Sequence, residues 1–147
     1  MNITFFGTPD FAANLVKELI KKSYPITCIV SKPDKPKGRR LKLQPTAVKL
    51  VAQEFNISLL QPEKASSSEF ISEMQSNSPD LFVVASYGEI MKPELLAIPK
   101  LGAINVHTSL LPKYRGAAPI QRCLIDGEEE TGVSIMYMVK KLDAGDV

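Results

Sequence analysis

Apolar residues follow two rhythms along this chain of 147 residues. Short continuous runs, such as Ile26-Thr27-Cys28-Ile29-Val30 and Leu81-Phe82-Val83-Val84-Ala85, alternate with stretches where apolar side chains recur every three or four positions. The continuous runs predict strands over residues 2–6, 25–30, 57–60, 80–85, 103–107 and 131–139. The helical spacing of Phe11, Leu15, Leu19 and Ile20 predicts a helix ending near Lys22. Further helices are predicted over 46–55, 66–74 and 118–126, with a helical turn over 94–98. Thr8 suits an N-cap, Pro9 the first helical position and Asp10 the positive end of the helix dipole. Ser67 or Ser68 suits the cap of the third helix. Residues 31–43, punctuated by Pro33, Pro36 and Gly38, read as a loop. Continuous apolar strands bounded by turns are buried on both faces, and strands here alternate with helices throughout. That is the α/β, doubly wound pattern with a mostly parallel sheet. In such sheets ligands sit beyond the carboxyl ends of the strands, so the informative residues follow Phe6, Val30, Ala85, Val106 and Val139.

Composition narrows the picture. A hydrophobic share of 44% over 147 residues is that of one globular domain spanning 1–147. Cys28 and Cys123 are far apart and His107 is the one histidine, which excludes a disulfide scaffold and a structural metal site. No run approaches the length of a membrane span, and the start of the chain lacks a signal-peptide pattern. A reducing cytoplasm is the default expectation. The net charge of +2 is uninformative, but its distribution is not. Lys32, Lys35, Lys37, Arg39, Arg40 and Lys42 face a single acid, Asp34, within one short segment. A basic patch on a mildly acidic body predicts contact with one polyanion, and prolines without aromatics suit phosphates better than stacked bases. A merely solvated loop is the other reading of the same charges.

Asn105, His107 and Ser109 alternate at the carboxyl end of an apolar strand, which places them on one face. A carboxamide beside an imidazole can donate two hydrogen bonds to one developing oxyanion. Asp143 and Asp146 flank a small pair in Asp-Ala-Gly-Asp, where a carboxylate can orient an imidazole or take a proton; a solvated turn is the plainer reading. Other chemistries lack support. No Gly-x-Ser-x-Gly elbow is present, Gly7-Thr8-Pro9-Asp10 is not a dinucleotide fingerprint, and no Walker A lysine follows a glycine-rich loop. Tyr87-Gly88-Glu89-Ile90 is a turn after a buried strand, able to line a pocket with backbone groups. Tyr114 to Pro119 reads as a loop entering a helix.

Five segments together resemble the methionyl-tRNA formyltransferase family: Phe6-Gly7-Thr8-Pro9-Asp10-Phe11-Ala12, Pro33-Asp34-Lys35-Pro36-Lys37-Gly38-Arg39, Asn105 to Pro112, Arg115 to Ile120, and Leu142 to Asp146. Asn-x-His with a downstream Leu-Asp-x-Gly marks the wider group that uses 10-formyltetrahydrofolate, and the other segments narrow it. The resemblance implies a Rossmann-like sheet without a dinucleotide or metal. It implies catalysis by Asn105, His107 and Asp143. It assigns the folate co-substrate to Ser109, Leu110, Leu111 and Pro112, with Tyr87, Gly88, Glu89 and Ile90 around the pterin. It assigns Lys35, Lys37, Arg39, Arg40 and Lys42 to initiator methionyl-tRNA, and implies a monomeric enzyme of translation initiation. The family continues past the point corresponding to Val147 into a C-terminal β-barrel, so a partial catalytic domain is expected. A formyltransferase for a small amine and a non-catalytic folate- or RNA-binding module are the competing readings.

Overall fold

The computed structural model describes residues 1–37 and 42–147, with Lys37 described by its backbone. The chain runs β1 (Ile3–Gly7), α1 (Asp10–Lys21), β2 (Ile26–Val30), β3 (Lys35–Lys37), β4 (Lys42–Gln44), α2 (Ala47–Glu54) and β5 (Ser58–Leu60). It continues through α3 (Ser68–Asn77), β6 (Leu81–Ala85), α4 (Pro93–Leu96), β7 (Ala103–His107), α5 (Pro119–Ile125) and β8 (Ser134–Tyr137). Six strands form one sheet in the order β5-β2-β1-β6-β7-β8. Neighbours are parallel except β8, which pairs antiparallel with β7 so that Asn105 faces Met136 and His107 faces Ser134.

The continuous apolar runs are buried on both faces, as a parallel sheet under helices requires. In β1 all five residues are buried. Phe5 joins Val16, Ile29, Val48 and Val83 in the core beneath α1 and α2. Its neighbour Phe6 points the other way, onto Phe70, Met74, Phe82 and Leu95. Gly7 lets the end of β1 meet α1 directly, since a Cβ there would lie 2.6 Å from that of Ala12.

Three sequence expectations change. Thr8 does not cap α1: Pro9 occupies the cap, outside the helix, without a side-chain hydrogen bond. The Thr8 hydroxyl instead donates to the carbonyl oxygen of Tyr87 at 2.8 Å, joining two strand ends. The basic segment is not wholly loop, because β3 and β4 pair as an antiparallel ribbon with Pro36 opposite Leu43. A two-stranded ribbon has open edges, so a proline without an N–H costs it little. The last predicted strand shortens to Ser134–Tyr137.

After β5 the chain returns across the sheet to place β6 on the far side of β1. That reversal opens a crevice at the carboxyl ends of β1 and β6, the place where doubly wound sheets bind ligands. Among the described residues no helix is long and apolar enough to cross a membrane.

Candidate active site

Three segments meet beside that crevice, the last of them distant in sequence from the other two. The strand β7 delivers Asn105 and His107, the loop before α5 delivers Tyr114 and Gly116, and the turn after β8 delivers Asp143. Asn105, His107 and Asp143 line one cavity of about 560 Å³, walled also by Gly116–Pro119 and by Ser86–Ile90.

His107 is 6% exposed and held on both sides. Its Nε2 lies 2.9 Å from the carbonyl oxygen of Tyr114. A carbonyl only accepts, so the neutral ring carries its proton on Nε2. Nδ1 then faces Asp143, with Oδ2 at 3.7 Å. Asp143 is 7% exposed. Its buried carboxylate is satisfied by the Gly116 N–H, which donates to Oδ2 at 2.7 Å. The backbone makes this possible through left-handed residues: Tyr114 (φ 57°), Gly116 (φ 87°), Ala118 (φ 57°) and Asp143 itself (φ 45°). Strained non-glycine residues at such density mark a segment shaped for a site.

Asp143 is also positioned by Gly145. A Cβ at Gly145 would lie 1.8 Å from the carbonyl oxygen of Tyr137. The bare backbone lets the turn press against β8, where the Tyr137 N–H donates to the Asp146 carbonyl at 2.9 Å. Asp146 therefore contributes backbone here.

The Tyr87-Gly88-Glu89-Ile90 segment lines the same cavity, as does Ser86. Ser86 (φ 47°) and Gly88 (φ 86°) turn the backbone away from the sheet. Ile90 is 79% exposed at the mouth, and a Cβ on Gly88 would meet nothing within 4 Å. The Tyr87 ring packs edge-on against Phe6 at 5.3 Å. Its hydroxyl is buried without a hydrogen-bond partner, and burial, with Glu89 nearby, pushes the phenol well above its ordinary pKa.

Ser109, Leu110, Leu111 and Pro112 lie elsewhere. The strand β7 ends at His107 and the chain bends, so the alternation that grouped Ser109 with Asn105 and His107 is broken. Ser109 is buried, its hydroxyl donating to the Lys113 carbonyl at 2.7 Å. Ser134 ties this segment to β8, donating to the Ser109 carbonyl at 2.8 Å and accepting from the Leu111 N–H at 3.1 Å. Leu110 and Pro112 line a separate depression beside Lys113, Tyr114 and Glu128.

The basic ribbon stands over a second cavity of about 610 Å³, which Lys35 lines and which shares Ser86, Tyr87 and Gly88 with the first. Lys42 is exposed and Lys37 pairs with it across the ribbon. Arg39 and Arg40 lie outside the described residues. Sequence reasoning singled out Tyr114–Pro119 as a loop entering a helix but did not place it as a wall of the cavity; it missed the Tyr114 carbonyl and the part of Lys32 and Thr8 in bracing the 86–90 loop. The left-handed turns at Tyr114 and Ala118 have no signal in the sequence.

Chemically, the cavity offers a carboxamide donor, an imidazole and a buried carboxylate around one open volume. That set can stabilise negative charge on an oxygen and move a proton. Among the described residues no group of three or more His, Cys, Asp or Glu could hold a metal ion.

Known proteins similar to this chain can be set beside it. The chain is similar to a methionyl-tRNA formyltransferase of Protochlamydia amoebophila, 54% identical over 147 residues, which are 100% of this chain and 46% of that protein. A methionyl-tRNA formyltransferase of Clostridioides difficile is 53% identical over the same length, 48% of its own. The chain thus spans about half the length of these curated relatives. In fold it is similar to the phosphoribosylglycinamide formyltransferase of Bacillus halodurans, with a TM-score of 0.79 at 18% identity, covering 99% of this chain and 76% of that one. The corresponding Coxiella burnetii enzyme gives 0.69 at 27% identity, covering 98% and 67%. The profile described as "Formyl transferase" matches residues 1–147. With the match spanning every residue from β1 to the Asp143 turn, the chain belongs to the formyl transferase family.

Proposed function

We propose that the chain carries the catalytic site of a methionyl-tRNA formyltransferase, moving a formyl group from 10-formyltetrahydrofolate to the amino group of initiator methionyl-tRNA in the cytoplasm. The observation that carries the reading is the convergence of Asn105, His107 and Asp143 on one cavity at the crevice of the sheet. The relatives at about half identity are named for that reaction.

The donor supplies an activated carbonyl. In the transfer the amine nitrogen bonds to the formyl carbon, the bond from that carbon to N10 breaks, and one proton passes from the amine to N10. Negative charge develops on the formyl oxygen. The Asn105 carboxamide donates to that oxygen. His107, fixed by the Tyr114 carbonyl, takes that proton from the amine at Nδ1 and hands it on to N10, and Asp143 stabilises the imidazolium between the two transfers. The Ser86–Ile90 loop suits a flat heterocycle, with turned-out backbone, open space at Gly88 and the apolar Ile90 at the mouth. The basic ribbon over the adjoining cavity supports a polyanionic acceptor approaching from that side.

The test is formyl transfer to methionyl-tRNA by the intact protein. Asn105→Ala and His107→Ala are each expected to slow it about 10²–10³-fold with tRNA affinity little changed. An unchanged rate in H107A would mean a binding module. Replacing Arg39 and Arg40 with Ala separates the acceptors: loss with tRNA is expected, whereas a formyltransferase for a small amine would be indifferent.

A further inference from the structure

We propose that the Lys32–Glu89 ion pair couples the two cavities, so that Lys32 acts as a positioning residue that carries the placement of the acceptor to the loop holding the formyl donor. The proposal rests on the function above, which places the donor in the cavity of Asn105 and His107 and brings the acceptor in over the adjoining one.

The two cavities share the wall Ser86–Gly88. Lys32 lines the cavity under the ribbon and Glu89 the cavity of Asn105 and His107. Their side chains form an ion pair across that wall, each about one-fifth exposed. The other Glu89 oxygen accepts from the Ala65 N–H at 2.9 Å. One residue pair away, the Thr8 hydroxyl holds the Tyr87 carbonyl at 2.8 Å and lies 3.5 Å from the Lys32 N–H. The Lys32 ammonium also stands 6.0 Å over the Tyr87 ring, whose own hydroxyl has no hydrogen-bond partner to hold it. The side-chain attachments of the donor loop among the described residues therefore all lead away from its own cavity.

Behind Lys32 the network reaches the root of the ribbon. The Gln61 amide donates to the Lys32 carbonyl at 2.9 Å and to Asp34 at 2.8 Å. Asp34 directly precedes β3 and is paired with Lys49 at 2.6 Å. A phosphate backbone settling on the ribbon loads this root, and the pair passes the constraint to the loop that would grip the donor. Each side chain keeps only about one-fifth of its surface exposed, but neither residue belongs to the two main cores, so removing the pair is expected to release the loop while the chain stays folded. Coupling of this kind is reciprocal: acceptor tightens donor by the same factor as donor tightens acceptor.

The experiment measures the Kd of the intact protein for tetrahydrofolate, by titration with and without saturating methionyl-tRNA. The wild type is expected to show tightening of about fivefold or more. Lys32→Met and Glu89→Gln are each expected to reduce it to less than twofold, and the double variant to do no further harm. Lys32→Arg, which keeps the pair, retains the coupling. In kinetics Lys32→Met raises KM for the donor more than it lowers kcat, and Lys32→Arg keeps both near the wild-type values. A wild type without coupling, or coupling in both K32M and E89Q equal to the wild type's, overturns the proposal. Absence of formyl transfer by the wild type overturns the proposed function instead, because the binding measurement needs no chemistry.

Discussion

One oxygen of Asp143 both accepts the Gly116 N–H and faces His107. Substitutions can separate those roles. Asp143→Asn keeps an acceptor for the N–H but loses the charge that, under the proposed function, stabilises an imidazolium. Formyl transfer is expected to fall by about 10²–10⁴-fold, with the urea midpoint nearly unchanged. Asp143→Ala also strands the buried N–H and should cost about 1–3 kcal/mol of stability. If D143N transferred at the wild-type rate, the carboxylate would be a brace and nothing more. A second residue sets a pH limit far from the site. Cys28 is 4% exposed, and burial, helped by Glu73 and opposed by Ser58, pushes its thiol from 9.0 to about 11. Between those values the unfolded chain has released a proton that the folded chain keeps, so rising pH favours unfolding. The contribution is full below about 9 and lost by about 11. Urea unfolding of the wild type should therefore weaken over this window by up to about 2–3 kcal/mol more than that of Cys28→Ala.

At the scale of elements, capping gives the clearest contrast. Thr46 caps α2, accepting from the Lys49 N–H at 3.2 Å, and shares a hydrogen bond with the Ser31 hydroxyl at 2.7 Å. Ser67 caps α3 through the Phe70 N–H at 3.3 Å. Ser67→Ala should cost about 1 kcal/mol. Thr46→Ala should cost about 2 kcal/mol, because it also strands Ser31, which is fully buried; equal urea midpoints for the two variants would refute the added term. The cap at Ser67 was legible because a small hydroxyl preceded an apolar helical repeat. Thr8 looked the same, yet its hydroxyl is drawn to the Tyr87 carbonyl, a partner 79 residues away that local pattern cannot reveal. The ribbon was illegible for a different reason. Each of its strands is three residues long, and none of the three residues of β4 is buried, so no apolar alternation announces it. The long parallel strands were readable because burial on both faces leaves an unbroken apolar run.

The whole molecule gathers its site from β7, the loop before α5 and the turn after β8. Residue type disclosed the first and last of these: an amide, an imidazole and an acid stand where an apolar sheet ends. Which neighbours they meet depends on the path between. The bend after His107 removes Ser109–Pro112 from the cavity, and left-handed turns at Tyr114, Gly116 and Ala118 bring in a wall no periodicity encodes. The position of Asp143 depends in turn on a glycine two residues later. The turn can close only because Gly145 has no side chain, its Cβ position being 1.8 Å from a backbone oxygen of β8. Backbone cannot yield as a flexible side chain does, so Gly145→Ala must push the turn outward. Asp143 then loses its place beside Gly116 and His107, and a displacement of about 1 Å suffices for a rate loss near 10²-fold. The two main cores, beneath α1–α2 and beneath α3–α4, contain no residue of this turn. The urea midpoint should therefore fall far less than activity does. A G145A protein that transfers formyl groups at the wild-type rate would show that the acid is held by something other than this close approach.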